Sequence, residues 1–151
     1  MDDLRELYQS TILDHNRTPR NFGELDSANR SARGDNPVCG DKIVVYLEVD
    51  DEGRVVEVRF DGKGCAISTA SASLMTEFVK GRKPEEIQET FERFHELVTG
   101  NPGEKVEGEG LGKLAVFSGV REYPVRVKCA TLCWHTLRSA LSGSDEVART
   151  E

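Results

Sequence analysis

The run KIVVYLEVD (Lys42–Asp50) leads through DDEG into RVVEVRF (Arg54–Phe60). β-Branched residues crowd both runs, and the second alternates apolar with polar, so the stretch predicts a strand, a turn and a returning strand. A hairpin constrains more than its own two strands. The segment that enters the first and the segment that leaves the second become neighbours at its open end. Here both flanks carry a cysteine. Cys39 lies in GDNPVCGDK (Gly34–Lys42), and Cys65 follows DGKG, which is read as breaking the second strand.

The other elements follow from periodicity. Residues 3 to about 16 carry Leu4, Leu7, Tyr8, Thr11 and Ile12 in a helical stripe that stops near Pro19. Gly23 to Asn36 is polar, with room for one short strand near Arg30 to Arg33. AISTASASLMTEFVK (Ala66–Lys80) reads as a helix whose many Ala and Ser residues let another backbone pack closely. KPEEIQETFERFHELV reads as the next, with Pro84 near its first position, Glu85 and Glu86 at the positive end of its dipole, and Ile87, Phe91, Phe94 and Val98 on its buried face. TGNPGEKVEGEGLG holds five glycines and reads as a loop. LAVFSGVREY predicts a short helix and a turn, and Pro124 to about Ser142 a last helix ended by SGS. The expected fold is α+β: a small three-stranded antiparallel sheet packed against about five helices. The 151 residues are read as one domain, with 143–151 a frayed tail.

Composition excludes several classes. Lys and Arg number 20 against 27 Asp and Glu, a net charge of −7, which disfavours nucleic acid and anionic membrane as partners. No apolar run approaches the ~20 residues of a membrane span. MDDLRELYQS lacks the basic end and apolar centre of a signal peptide. A cytoplasmic location is expected. There the four cysteines, Cys39, Cys65, Cys129 and Cys133, read as thiols or metal ligands before they read as bridges.

Topology brings Cys39, Asp41 and Cys65 to one sheet edge, and the last helix need only cross that edge to add Cys129. Three thiolates and a carboxylate suit a tetrahedral zinc site. Gly40 is the hinge that lets Cys39 and Asp41 converge on one ion. Taken alone, Cys39 reads equally well as a small buried hydrophobe. Two cysteines in Gly-flanked turns beside an aspartate point instead to metal or thiol chemistry. Arg126, three residues before Cys129, shares its helix face and is read as stabilising a thiolate. Cys133 is open between ligand, reserve thiol and apolar filler, with filler favoured. Trp134 reads as core or interface. His135 reads as a polar or capping residue, with a place near the metal left open. His15 and His95 are expected to be solvated, and SASAS, having no base partner, reads as packing.

YQSTILDHNRTPRNFG, GDNPVCGDK, GKGCAISTASASLM and YPVRVKCATLCWHT together resemble the iron–sulfur assembly U-type proteins, the IscU/NifU N-terminal-like superfamily, over nearly the whole chain. The scaffold branch of that family has a histidine immediately before its third cysteine; here the position is Lys128. That residue, with the long stretch between Cys65 and Cys129, resembles the SufU branch. The resemblance implies a zinc ion held by Cys39, Asp41, Cys65 and Cys129, and a role as sulfur acceptor for a pyridoxal-phosphate cysteine desulfurase of the SufS type, ahead of downstream SUF assembly proteins. It further implies that the partner lends a ligand, a histidine, so that freed Cys39 attacks the partner's persulfide. Cys133 departs from the family, where a small non-thiol residue is expected. Two alternatives stand beside sulfur transfer: a scaffold on which a transient iron–sulfur cluster is assembled by the same thiolates, and a purely structural zinc module, against which the aspartate argues.

Overall fold

The computed structural model describes residues 3–100, 111–143 and 148–149. The first helix, α1, spans Asp3–Arg17. Three strands follow, β1 (Arg30–Asn36), β2 (Asp41–Val49) and β3 (Val55–Lys63). Helices α2 (Ala66–Val79) and α3 (Pro84–Thr99) come next. A stretch of 3-10 turns over Gly112–Glu122 then leads into α4 (Pro124–Ser142), which ends at Gly143 in the left-handed conformation (φ 73°). The architecture is the expected α+β one. Most of the Gly-rich loop between α3 and the 3-10 turns, residues 101–110, lies outside the described residues.

The strands β1, β2 and β3 form an antiparallel meander with β2 in the centre. Two residues of the tail expected to fray, Ala148–Arg149, add a short parallel strand, β4, beside β1. At the open end of the β2–β3 hairpin Lys42 faces Lys63, and Asp41 faces Asn36 across β1. That register is what brings the flanks holding Cys39 and Cys65 together. DGKG does not break β3 where its glycines suggest. The strand continues to Lys63 because Gly62, at φ 140°, lies so close to β2 that a Cβ there would collide with the Lys42 carbonyl.

The sheet buries one face. Ala32, Ile43, Val45, Leu47, Val58 and Phe60 meet α2 and α4 in a continuous core. Alternation along β2, with Asp41, Ile43, Val45 and Leu47 buried in turn, sets which side that is. Trp134 is core, stacked on Phe94 with ring centroids 5.4 Å apart. α4 crosses β1 at Gly34, where any Cβ would strike the Thr136 hydroxyl and crowd Leu132. This close approach sets the depth at which α4 sits over the sheet. Among the described residues no helix is long and apolar enough to cross a membrane.

α2 is buried almost all round, and its small polar residues do more than pack. Ser71 donates to the Ala130 carbonyl of α4 at 2.6 Å. Ser73 corrects the expectation that SASAS has no base partner, because its Oγ lies 2.7 Å from His15 Nδ1 and also accepts the Arg20 N–H at 2.9 Å. His15 is likewise not solvated; it is 1% exposed. Its position, four residues after Thr11 and three after Ile12, continues the apolar stripe of α1 into the interface with α2. The Ser73 hydroxyl, with two acceptor lone pairs and one proton, serves both the Arg20 N–H and His15 Nδ1, and His15 Nε2 is turned toward Glu77, 3.8 Å away.

Two predictions follow from this packing. Burial holds the His15 imidazole below its ordinary value of 6.5; Arg20 and Lys113 act the same way, and Glu77 and Asp14 oppose them. The unfolded chain therefore binds the proton more readily, so this contribution to stability is whole above the ordinary histidine value and is lost as pH falls below it. Urea midpoints at about pH 7.5 and about pH 5.5 should drop toward acid, and the drop should shrink in His15→Gln. Gly34→Ala should cost roughly 1–3 kcal/mol by overpacking, read as a lowered denaturation midpoint; no loss would mean that α4 is free to lift off β1.

Candidate metal centre

The site forms where β1 ends, β2 begins, and the start of α2 meets the second turn of α4. Between the two strands the chain reverses in a tight turn, with the Gly40 N–H donating to the Asn36 carbonyl at 2.8 Å. Gly40 has φ 74°, and a Cβ there would meet nothing within 4 Å. Its glycine is needed for the left-handed backbone rather than for space. The turn presents Cys39 to solvent and feeds Asp41, 2% exposed, into the first position of β2.

Asp41 ties the pieces together. Its Oδ1 accepts the Cys65 backbone N–H at 3.0 Å, and its Oδ2 lies 3.4 Å from Asn36 Nδ2. Gly64 leaves room for that carboxylate, since a Cβ there would stand 3.0 Å from Asp41 Oδ1. Cys65 occupies the N-cap of α2, where its Sγ accepts the Ser68 N–H at 3.4 Å. Cys129, 2% exposed, comes from the second turn of α4, with its Sγ 3.4 Å from Cys39 Sγ and 3.6 Å from Asn36 Nδ2.

One donor atom from each of Cys39, Asp41 and Cys129 lies within 4.8 Å of the other two. Among the described residues this is the group of His, Cys, Asp and Glu side chains that converges as a metal site would. Burial pushes the Cys129 thiol well up, and the neighbouring Cys39, Cys65 and Asp41 push it further. A divalent cation would reverse that balance, because it favours the deprotonated sulfur and offsets the buried negative charge. The donor set, two sulfurs and an oxygen with a third sulfur adjacent, fits zinc.

The other sequence candidates fall in different places. Cys65 adjoins the trio through its N–H and acts on Cys129, but its sulfur is turned onto its own helix end. The Arg126 guanidinium sits 4.5 Å over the Tyr123 ring. There it lines an apolar groove of about 570 Å³ between α1, the 3-10 turns and the starts of α2 and α4, beside Ile12, Leu13 and Ile67. Cys133 is buried against Ser71, its Sγ 3.4 Å from the hydroxyl, and burial pushes its thiol up to about 12. His135 packs edge-on against Phe91, and His95 tilts against the same ring. Sequence reasoning passed over Asn36, which is fully buried with its amide toward both Asp41 and Cys129. In the quoted motif an Asn before Pro37 looks like an ordinary turn residue.

The chain is similar to known proteins in sequence and in fold. The sequence profile described as the NifU-like N terminal domain matches residues 7–130. The zinc-dependent sulfurtransferase SufU of Bacillus subtilis (strain 168) is 37% identical over 141 residues, covering 93% of this chain and 92% of its own length. The iron-sulfur cluster assembly scaffold protein IscU of Streptococcus pyogenes serotype M1 is 36% identical over 146 residues, covering 95% and 88%. A crystal structure described as a putative iron-sulfur cluster assembly scaffold protein for the SUF system, from Fervidobacterium islandicum AW-1, superposes with a TM-score of 0.80 at 33% identity, covering 91% of this chain and 98% of that one.

Exposure sets an order of thiol reactivity. In metal-free, folded protein, limiting iodoacetamide should modify exposed Cys39 and Cys65 first and buried Cys129 and Cys133 last. Peptide mapping reads the order, and early modification of Cys129 would contradict the placement.

Proposed function

Because this chain belongs to the family of NifU-like N-terminal domains, we propose that it is a zinc-dependent sulfur acceptor in iron–sulfur cluster biogenesis. The single observation that carries the reading is the mixed exposure of the converging donors. Asp41 and Cys129 are buried and anchored on β2 and α4, while Cys39 is exposed on a glycine-hinged turn. Cys65 is exposed as well, but it sits at the N-cap of α2 with its sulfur on the Ser68 N–H. Cys39 is the exposed thiol carried on a turn rather than on a helix, and a sulfur acceptor must offer such a thiol to another protein.

In this reading Cys39, Asp41, Cys65 and Cys129 hold the metal. Cys65 joins by turning its sulfur away from the Ser68 N–H. Bound zinc supplies Lewis acidity that keeps the sulfurs deprotonated and the site ordered. The chemistry belongs to Cys39. Its thiolate attacks the terminal sulfur of a persulfide carried by a cysteine desulfurase of the SufS type. A new S–S bond forms on Cys39, the bond between that terminal sulfur and the partner's cysteine breaks, and the partner's thiolate leaves. Arg126, one helical turn before Cys129, is assigned the stabilisation of the Cys39 thiolate during transfer, for which its guanidinium leaves the Tyr123 ring. The sulfur then passes to downstream SUF assembly proteins in the cytoplasm, where thiols stay reduced.

A scaffold reading remains as the second one. It draws on the streptococcal relative's printed name and on the affinity of sulfur donors for iron. In it an iron–sulfur cluster is cargo on the same residues.

Metal analysis and sulfur-35 transfer from a desulfurase separate these readings. Purified protein should carry a single equivalent of zinc and no cluster, and Asp41→Ala or Cys129→Ala should lose it. Cys39→Ala should lose persulfide loading entirely, and Arg126→Ala should slow loading while zinc stays bound. Iron with sulfide in fresh protein would favour the scaffold, and loading retained by Cys39→Ala would overturn the acceptor assignment.

A further inference from the structure

Cys39 and Cys129 lie 3.4 Å apart, yet their surroundings differ in one respect that exposure alone does not supply. The Asn36 side chain is fully buried. Its Oδ1 accepts the Val38 N–H at 3.3 Å, which fixes the amide the other way round at its far end. The Nδ2 group is thereby aimed inward, 3.4 Å from Asp41 Oδ2 and 3.6 Å from Cys129 Sγ. The Asn36 carbonyl meanwhile closes the turn by accepting from Gly40. One residue thus shapes the Cys39 turn with its backbone and reaches past Cys39 with its side chain.

Both buried donors are held by N–H groups. Asp41 has the Cys65 N–H and the Asn36 amide, and Cys129 has the Asn36 amide. Cys65, at the N-cap of α2, has the Ser68 N–H, a bond it gives up on joining the metal. For Cys39 the described partner is the Cys129 sulfur alone. Hydrogen bonds from surrounding groups orient metal ligands and strengthen their hold. A sulfur or carboxylate that accepts an N–H bond is steadied as an anion, and moving it breaks that bond as well.

We infer that Asn36 is a positioning residue that selects which ligand of the centre exchanges: its amide pins Asp41 and Cys129 together and leaves Cys39 as the thiol that comes free. The inference rests on the zinc reading above and deepens it. Exposure determines which thiol a partner can reach, and the Asn36 amide determines which thiol lets go. Asn36 does not touch the incoming sulfur; it acts through Asp41 and Cys129.

The test compares zinc-loaded wild type with Asn36→Asp, which keeps the size and the acceptor for Val38 but loses the donor, and with Asn36→Leu, which loses both. Limiting iodoacetamide labelling and peptide mapping give the ratio of Cys39 to Cys129 modification, while a competing chromophoric chelator gives zinc affinity. Buried Cys133 is an internal reporter of unfolding. In wild type Cys39 should dominate. In both variants, with Cys133 still protected, the ratio should fall by ~10-fold or more, and zinc affinity should fall by ~10–100-fold, the usual effect of losing such a supporting partner. An unchanged ratio with Cys133 protected would overturn the inference. Labelling of Cys133 alongside the others in both variants would also overturn it, because Asn36 would then hold the fold rather than choose the ligand. Wild type that carries no zinc would sink the zinc reading itself, a result distinct from any change between wild type and variants.

Discussion

Asp41 and Cys129 are each 2% exposed, side by side at the end of the sheet. The described partners of the carboxylate are two N–H groups, the Cys65 amide and the Asn36 side chain, and neither carries positive charge. Burying a carboxylate among sulfurs is costly unless something offsets it. N–H donors offset part of that cost, and a bound divalent cation would offset the rest. Everything around the site is arranged as if for that cation. The hairpin register delivers Asp41 and the start of α2, Gly34 lets α4 come close enough to supply Cys129, and Gly40 bends Cys39 back toward both.

The same packing explains why the helices are so polar inside. α2 has α1 on one side and α4 on another, so large side chains would hold both at a distance. Small residues let the backbones approach, and their hydroxyls then need partners. Ser71 finds the Ala130 carbonyl, and Ser73 finds His15 and the Arg20 amide. Satisfied in this way, the hydroxyls cost little and specify one arrangement of the helices. The start of α2 and the second turn of α4, which carry Cys65 and Cys129, inherit that rigidity. The Cys39 turn is exposed and is not packed between helices, and the proposed release of Cys39 draws on that contrast.

Much of this was legible in the sequence because it follows from local pattern. The β-branched hairpin placed Cys39 and Cys65 at one edge, and apolar periodicity marked α1, α2, α3 and α4. What was missed depends on contacts between distant segments. The extension of β3 through Gly62 reflects the nearness of the Lys42 carbonyl, which composition cannot reveal, so the glycines read as a break. A histidine on a surface helix reads as solvated, although the place of His15 on the apolar stripe of α1 points inward. Ser73 had no visible base because that base lies 58 residues away. Asn36 sat inside the very motif that drew attention, and its role depends on Cys129, 93 residues later.

The central claim is that a buried aspartate and cysteine thiolates share one zinc ion. Zinc K-edge X-ray absorption on the purified protein tests it most directly. The account predicts a four-coordinate shell of three sulfurs at about 2.3 Å and one oxygen at about 2.0–2.2 Å. A shell of four sulfurs, a shell dominated by nitrogen and oxygen, or protein that retains no zinc would contradict it.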